Sequence, residues 1–211
     1  MKQFDNITTL IFDFGGVLIN LDISRCIRAF ERLGVKNIDR YLGQYGQLGF
    51  FMHYEKGLIN TEEFRNEMRK CSEKPLTDEQ IDDAWCAFLL DIPQKKLDIL
   101  TELRKKFRML LLSNTNLLHI ESSSKEEYIK RGKTIHDYFD KCYFSYEMGY
   151  AKPQPEIFEA VLKDIGLNSK ECLFLDDSPK NIEQANKLGI QTYLVDPVED
   201  LSFLLKPETW N

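Results

Sequence analysis

With 211 residues, 43% of them hydrophobic and 12% aromatic, the chain is long enough for one domain carrying an insert, or two small ones, around a buried core. A formal net charge of −6 and a pI near 5.2 argue against non-specific nucleic-acid binding but not against a small anionic ligand, because a few local lysines make a cationic pocket. There is no basic segment followed by an apolar leader, no apolar run near the roughly 18 residues that span a bilayer, and no C-x-x-C pair among Cys26, Cys71, Cys86, Cys142 and Cys172, so the expectation is a cytoplasmic protein with reduced thiols, no membrane and no obligatory protein partner.

The first predicted strand, Thr8 to Phe14, is a continuous apolar run closed by glycine, as in a central parallel strand. From Asp22 to Leu90 the texture is helical, with no strand expected. Ile23, Ile27, Phe30 and Leu33 recur at helical spacing before Gly34. Asn60 to Glu63 and Thr77 to Gln80 have the form of capping boxes, and Ile81, Trp85, Phe88 and Leu89 make an apolar stripe that reads as packing. Phe50 and Phe51, adjacent in this stretch with Tyr45 and Tyr54 nearby, cannot share one helix face, so at least one is expected to look outward.

Helix and strand alternate from Pro93 onward. Leu97, Leu100, Leu103 and Phe107 precede a strand from Met109 to Leu112, and a helix is predicted over Leu117 to Lys130. A strand near Cys142 to Ser145, a helix from Pro155 to Ile165 closed by Gly166, a strand from Cys172 to Leu175, a helix from Pro179 closed by Gly189 and a strand from Thr192 to Val195 complete the chain. Repeated βα units imply an α/β fold, a parallel sheet with helices on both faces.

Chemistry-bearing residues stand at the exits of these strands. Asp13 precedes Gly15-Gly16; Ser113-Asn114-Thr115 ends the second apolar run; Lys152-Pro153 follows the third; Asp176-Asp177-Ser178 ends the fourth. Ligands of open α/β sheets bind outside the carboxyl ends of the strands, so these groups should converge on one crevice. A carboxylate such as Asp13 can attack phosphorus and divide a hydrolysis into two easier steps. The N–H groups of Phe14, Gly15 and Gly16 are candidates to cradle phosphate oxygens, with Ser113, the Asn114 N–H and Lys152 as further donors. The adjacent Asp176 and Asp177 repel unless a cation shares them, and magnesium favours such hard oxygen ligands.

The ordered set resembles the haloacid dehalogenase-like (HAD) hydrolases, mostly phosphatases, over essentially the whole chain. The matching residues are Asp13 in IFDFGGVL, Ser113 in LLLSNTN, Lys152 in AKPQPEIF and Asp176-Asp177 in LFLDDSPKNIEQA. The likeness is to the bacterial sugar-phosphate phosphatases with a D-x-G-x-V first motif and a small helical cap. It implies a doubly wound, Rossmann-like core from residues 1–20 and 93–211, a helical cap over 21–92, and a central Asp13 strand flanked by those of Ser113 and Asp176. It also implies Mg2+ held by Asp13, the Gly15 carbonyl and the Asp176/Asp177 pair, with Asp177 touching the metal, Asp176 orienting Lys152 or a water, and Asn181 behind.

One position departs from the family pattern. Gly15 stands where such phosphatases carry the Asp that protonates the leaving group, a function generally worth about 10²–10⁴ in rate. Asp22, Tyr45, His53, Tyr54 and Glu55 are the candidates to replace it; His53 is the most attractive on the ordinary pKa of imidazole, but a lone histidine carries no geometry and reads better as a half-buried cap residue, and the same applies to His119 and His136. The function implied is a magnesium-dependent phosphomonoesterase acting through an aspartyl-phosphate on a small phosphorylated metabolite, a sugar phosphate such as a hexose 1-phosphate, whose leaving group needs little protonation. The alternatives are a metal-independent 2-haloacid dehalogenase, disfavoured by the acid pair, and a catalytically weak binding or regulatory protein.

Overall fold

Five parallel strands carry the fold in the computed structural model, which describes residues 4–43, 46–123 and 133–211. They are β1 (Thr9–Phe12), β4 (Arg108–Ser113), β5 (Lys141–Phe144), β6 (Cys172–Asp176) and β7 (Gln191–Leu194), in the spatial order β5-β4-β1-β6-β7. The winding reverses direction at β1, which makes the exit of β1 the topological switch point. Register is continuous across the centre: Phe12 lies opposite Leu111 of β4 and Leu175 of β6. The Asp13 N–H then donates to the Leu175 carbonyl at 2.9 Å, extending the pairing to the first residue past the strand.

The central strands are apolar at every position because both faces are covered. Leu10, Phe12, Leu111 and Leu175 pack on one side, while Ile11, Leu110, Leu112 and Phe174 pack on the other, the alternation a pleated strand requires. Helices α5 (Gln94–Leu103), α8 (Pro155–Ile165) and α9 (Pro179–Lys187) lie in the connections. Prolines open α8 and α9, and Gly166 closes α8 at φ +65°.

Between β1 and α5 lie α1 (Ile23–Arg32), α2 (Gly49–Glu55), α3 (Thr61–Lys70) and α4 (Asp78–Cys86), which share a separate hydrophobic cluster around Phe30, Phe51, Phe64 and Trp85. Both capping boxes form, Asn60 with Glu63 and Thr77 with Gln80. The stretch is not wholly helical, which corrects the sequence reading: β2 (Leu42–Gly43) pairs antiparallel with β3 (Gly46–Gln47). Two residues per strand, one of each pair glycine, are too few for an alternating pattern to register in the sequence. Helix α6 (Leu117–Ser123) begins as predicted, and its expected continuation through 124–130 lies outside the described residues. The five cysteines are free thiols outside any disulfide, and no helix among the described residues is long and apolar enough to cross a membrane.

Candidate active site

The exits of β1, β4 and β6, with the segment after β5, open onto one crevice that is partly open to solvent. At its floor the Lys152 ammonium lies 2.8 Å from Asp13 Oδ1 and 2.7 Å from Asp176 Oδ2, with its side chain 1% exposed. Lys152 is itself held by Asn114. Its N–H donates to Asn114 Oδ1 and its carbonyl accepts from Asn114 Nδ2, both at 2.8 Å, and the Lys152–Pro153 peptide is cis. Asp176 is fully engaged: Asn181 Nδ2 donates to both its oxygens at 3.0 Å and the Ser178 N–H donates to Oδ1 at 2.8 Å.

Asp177 lies beside this pair rather than within it. Carboxylate oxygens of Asp13, Asp176 and Asp177 all fall within 4.8 Å of one another. Three carboxylates face the Lys152 ammonium, with Lys96 acting on Asp177 from farther off, so negative charge is in excess when all are ionised. The imbalance appears in their acidities. Burial pushes Asp13 up to about 7 against the pull of Lys152, with the charges of Asp176 and Asp177 adding to the rise. Burial, then Asp176, pushes Asp177 up to about 6. Burial opposes the charge on Lys152, but Asp13 and Asp176 outweigh it and hold the amine above the ordinary lysine range. Clustered hard oxygen donors with an excess of negative charge suit a divalent cation such as magnesium.

The glycine loop enters the site differently from expectation. Gly15 lines the crevice, but the Gly16 N–H donates to the Ile19 carbonyl at 2.9 Å inside the turn, so it is not aimed at a ligand. The Phe14 N–H donates to Asp13 Oδ1 at 2.7 Å. What Gly16 supplies is room: its φ is +74°, and a Cβ there would stand 2.3 Å from Asp177 Oδ2. Ser113 is buried and lines the crevice with Asn114.

Most candidates for the missing acid are placed elsewhere. Asp22 is spent as the N-cap of α1, accepting from the Ser24 and Arg25 N–H groups. His53 is exposed and does not line the crevice. Tyr54 is buried on Phe64 with its hydroxyl 2.9 Å from Thr61 Oγ1. Tyr45 lies outside the described residues. His136 is exposed. His119 does reach the crevice, but burial lowers it to about 4, and its ring stacks on Trp85 and Phe88, so at neutral pH it has no proton to give as an imidazolium. Glu55, at the end of α2, lines the same crevice as Asp13 and is buried, and burial pushes it up to about 8.

The aromatic residues also divide differently. Phe50 and Phe51 stack on each other with centroids 4.5 Å apart; Phe51 is fully buried, Phe50 half-buried, and neither lines the crevice. Phe88, read as packing, does line it, beside Leu21 and Leu89. Three contributors escaped the sequence reading. Lys96 of α5 is buried and donates to the Val17 carbonyl at 2.6 Å, fixing the glycine loop from below. Ser145, the first residue of α7 (Ser145–Met148), accepts from the Thr115 N–H at 2.9 Å and donates to the Glu55 carbonyl. Gln47 of β3 lines the crevice. A lysine in a Lys-Lys pair, a serine after a strand and a glutamine in a short hairpin carry no distinguishing signal on their own.

The model of one family, haloacid dehalogenase-like hydrolase, matches residues 7–189. A D-ribitol-5-phosphate phosphatase of Bacteroides thetaiotaomicron is 37% identical over 187 residues, 89% of this chain and 91% of that protein. A solved structure of a HAD-family enzyme from the same organism, in complex with magnesium and inorganic phosphate, superposes with a TM-score of 0.89 at 47% identity, covering 95% of this chain and 100% of that one. A 2-haloacid dehalogenase from Pseudomonas syringae, 15% identical with a TM-score of 0.56 over 88% of this chain and 85% of its own, shares the fold alone.

Proposed function

The chain belongs to the haloacid dehalogenase-like hydrolases, and we propose that it is a magnesium-dependent phosphatase of a small sugar or sugar-alcohol phosphate, working through an aspartyl-phosphate on Asp13. The observation that carries the reading is the buried triangle of Lys152 with Asp13 and Asp176, and Asp177 beside it, at the switch point of a parallel sheet. The relatives named as a sugar-alcohol phosphate phosphatase and crystallised with magnesium and phosphate support it.

In this reading residues 1–20 and 93–211 form the core and 21–92 a cap over the crevice. Asp13, Asp177 and the Gly15 carbonyl would hold the metal, with Asp176 next to them and Asn181 fixing Asp176. When bound, magnesium would supply positive charge to the carboxylate cluster and neutralise phosphoryl oxygens. Asp13 attacks phosphorus through its free oxygen. Lys152 keeps that carboxylate ionised and oriented, and Ser113 with the Asn114 N–H steadies the equatorial oxygens; positioning and charge neutralisation are most of what phosphoryl transfer asks of a protein. The apolar wall of Phe88, Leu89 and Leu21 takes the carbon skeleton, and Gln47 its hydroxyls.

The terminal phosphate of an open-chain polyol is the first choice of substrate, because of the D-ribitol-5-phosphate phosphatase. A hexose 1-phosphate is the second, because Gly15 favours a leaving group that departs without help. A panel of phosphate esters with and without magnesium is the test. Hydrolysis is expected to vanish with EDTA and in Asp13→Asn. Activity indifferent to both, or halide release from a 2-haloacid exceeding phosphate release from any ester, would overturn the reading.

A further inference from the structure

We infer that Glu55 is the general acid and base of the reaction, delivered to the leaving group from α2 in place of the carboxylic acid that the chain lacks at Gly15. The inference rests on the phosphatase reading above and deepens it.

The geometry comes first. Glu55 is the last residue of α2, and it lines the crevice whose floor holds Asp13. Its place is fixed by two contacts with the core. The Ser145 hydroxyl donates to the Glu55 carbonyl while also accepting from Thr115 in the loop after β4. Two residues on, Gly57 adopts φ +65° so closely against α7 that a Cβ would fall 2.0 Å from the Tyr146 carbonyl. The end of α2 is thus seated against the loop that follows Ser113 and Asn114, which places Glu55 in the wall of the crevice. Nucleophile and leaving group lie in line on opposite sides of phosphorus. Asp13 stands at the exit of the sheet, so the ester oxygen departs away from the sheet, and the role assigned to Glu55 places its carboxyl on that side.

Protonation suits the task. Titratable groups on the elements around Glu55 are Asp13, Asp177 and Lys152 at the strand exits, His119 of α6, and Tyr146 and Glu147 of α7. None of these is the cause of its raised pKa. Burial alone lifts Glu55 to about 8, so the group carries its proton at neutral pH. An acid with a pKa near the working pH serves both half-reactions.

The proton inventory closes. In the first step an Asp13 oxygen bonds to phosphorus and the phosphorus–ester oxygen bond breaks. Its electron pair stays on the ester oxygen, which takes the proton of the Glu55 carboxyl and leaves as the alcohol. In the second step the Glu55 carboxylate takes a proton from water as the water oxygen bonds to phosphorus. The phosphorus–Asp13 bond breaks, its electron pair returns to the Asp13 carboxylate, inorganic phosphate leaves, and Glu55 is protonated again. With such an acid in place, an ordinary alcohol is a competent leaving group despite Gly15.

The experiment compares kcat/KM of the wild type and Glu55→Gln on a primary-alkyl ester, ribitol 5-phosphate, and on an aryl ester, p-nitrophenyl phosphate. The amide keeps the shape and loses the proton. Loss of 10²–10⁴-fold on the alkyl ester with less than about tenfold on the aryl ester is expected, the size of general acid catalysis for the leaving group that needs it. A wild-type alkyl-ester rate that falls as pH rises through about 8, with an aryl-ester rate that does not, is expected as well. Equal losses on both esters in a variant that still binds magnesium, or a wild-type alkyl-ester rate flat through pH 8, would overturn the role while leaving the phosphatase reading intact. Failure of the wild type to hydrolyse either ester would instead overturn the phosphatase reading itself.

Discussion

Replacing Gly16 by alanine should separate the two things that glycine does. Its φ of +74° is a conformation L-residues enter at a cost of about 1–2 kcal/mol. Its missing Cβ also admits the Asp177 carboxylate: an added methyl would stand 2.3 Å from Oδ2, and restoring the 3.4 Å of ordinary contact moves that oxygen by about 1.1 Å. Metal–oxygen distances tolerate roughly 0.2 Å, so with Asp177 as the proposed ligand a shift of that size would remove or distort its bond to the metal, and even indirect disturbance of a metal site lowers affinity about 10–100-fold. Gly149 and Gly166, at φ +76° and +65°, meet nothing within 4 Å of an added Cβ and serve as controls with the backbone penalty alone. All three alanine variants should lose roughly 2–8 °C in Tm without metal, at about 2–4 °C per kcal/mol for a chain of this size. Only Gly16→Ala should weaken magnesium, read by isothermal titration and by the magnesium dependence of kcat/KM. An unchanged magnesium Kd in Gly16→Ala, or an equal loss in Gly149→Ala, would refute the close approach of Asp177 as the reason for glycine.

Lys152→Met leaves Asp13 and Asp176 buried without their shared cation; urea unfolding in magnesium-free buffer at pH 8 should show a loss of about 3–5 kcal/mol, shrinking toward pH 5 as Asp13 gains its proton, and a loss under about 1 kcal/mol would contradict the buried ion-pair geometry. Glu55→Gln tests the buried carboxyl through stability rather than rate. A carboxyl raised from 4.5 to about 8 on folding favours the native state while protonated, and that stability is lost as pH rises from the unfolded value through about 8. At 1.36 kcal/mol per pKa unit the ceiling on this loss is roughly 5 kcal/mol. The glutamine variant lacks this slope, so it should gain on the wild type in urea unfolding as pH rises from 5 to 9; parallel profiles would mean that Glu55 is not buried as described.

The strand exits were legible because their signals are local. An apolar run long enough for a buried strand, followed by glycine, a hydroxyl or paired acids, reads the same in sequence as in space, and parallel order brings such exits to one edge. The lengths of the outer elements were less legible. The β2–β3 ladder is shorter than any periodic signal, and Phe88 belongs both to the apolar stripe of α4 and to the crevice wall, a distinction that helical spacing does not encode. Asn114 illustrates a partial reading: its backbone was expected at the phosphate, but its side chain is the clasp that holds the Lys152 backbone, a pairing 38 residues apart in the chain.

The acid shows why residue type alone misleads at a functional site. On ordinary pKa values His53 is the natural proton donor near neutrality and Glu55 a permanent carboxylate. Folding reverses the order by placement: His53 is exposed outside the crevice, whereas Glu55, two residues further along α2, lines it and is buried. Dehydrating a carboxyl by several units' worth of free energy is something only tertiary packing does, and it needs no neighbour that a motif could flag. The same holds for the pair formed by Gly16 and Asp177. Glycine after a strand suggests an oxyanion cradle, yet its N–H is spent on Ile19 and its use is the space it leaves for a carboxylate 161 positions away. In both cases the chemistry lies in what surrounds the residue, which is why the order of the motifs was readable and the identity of the proton donor was not.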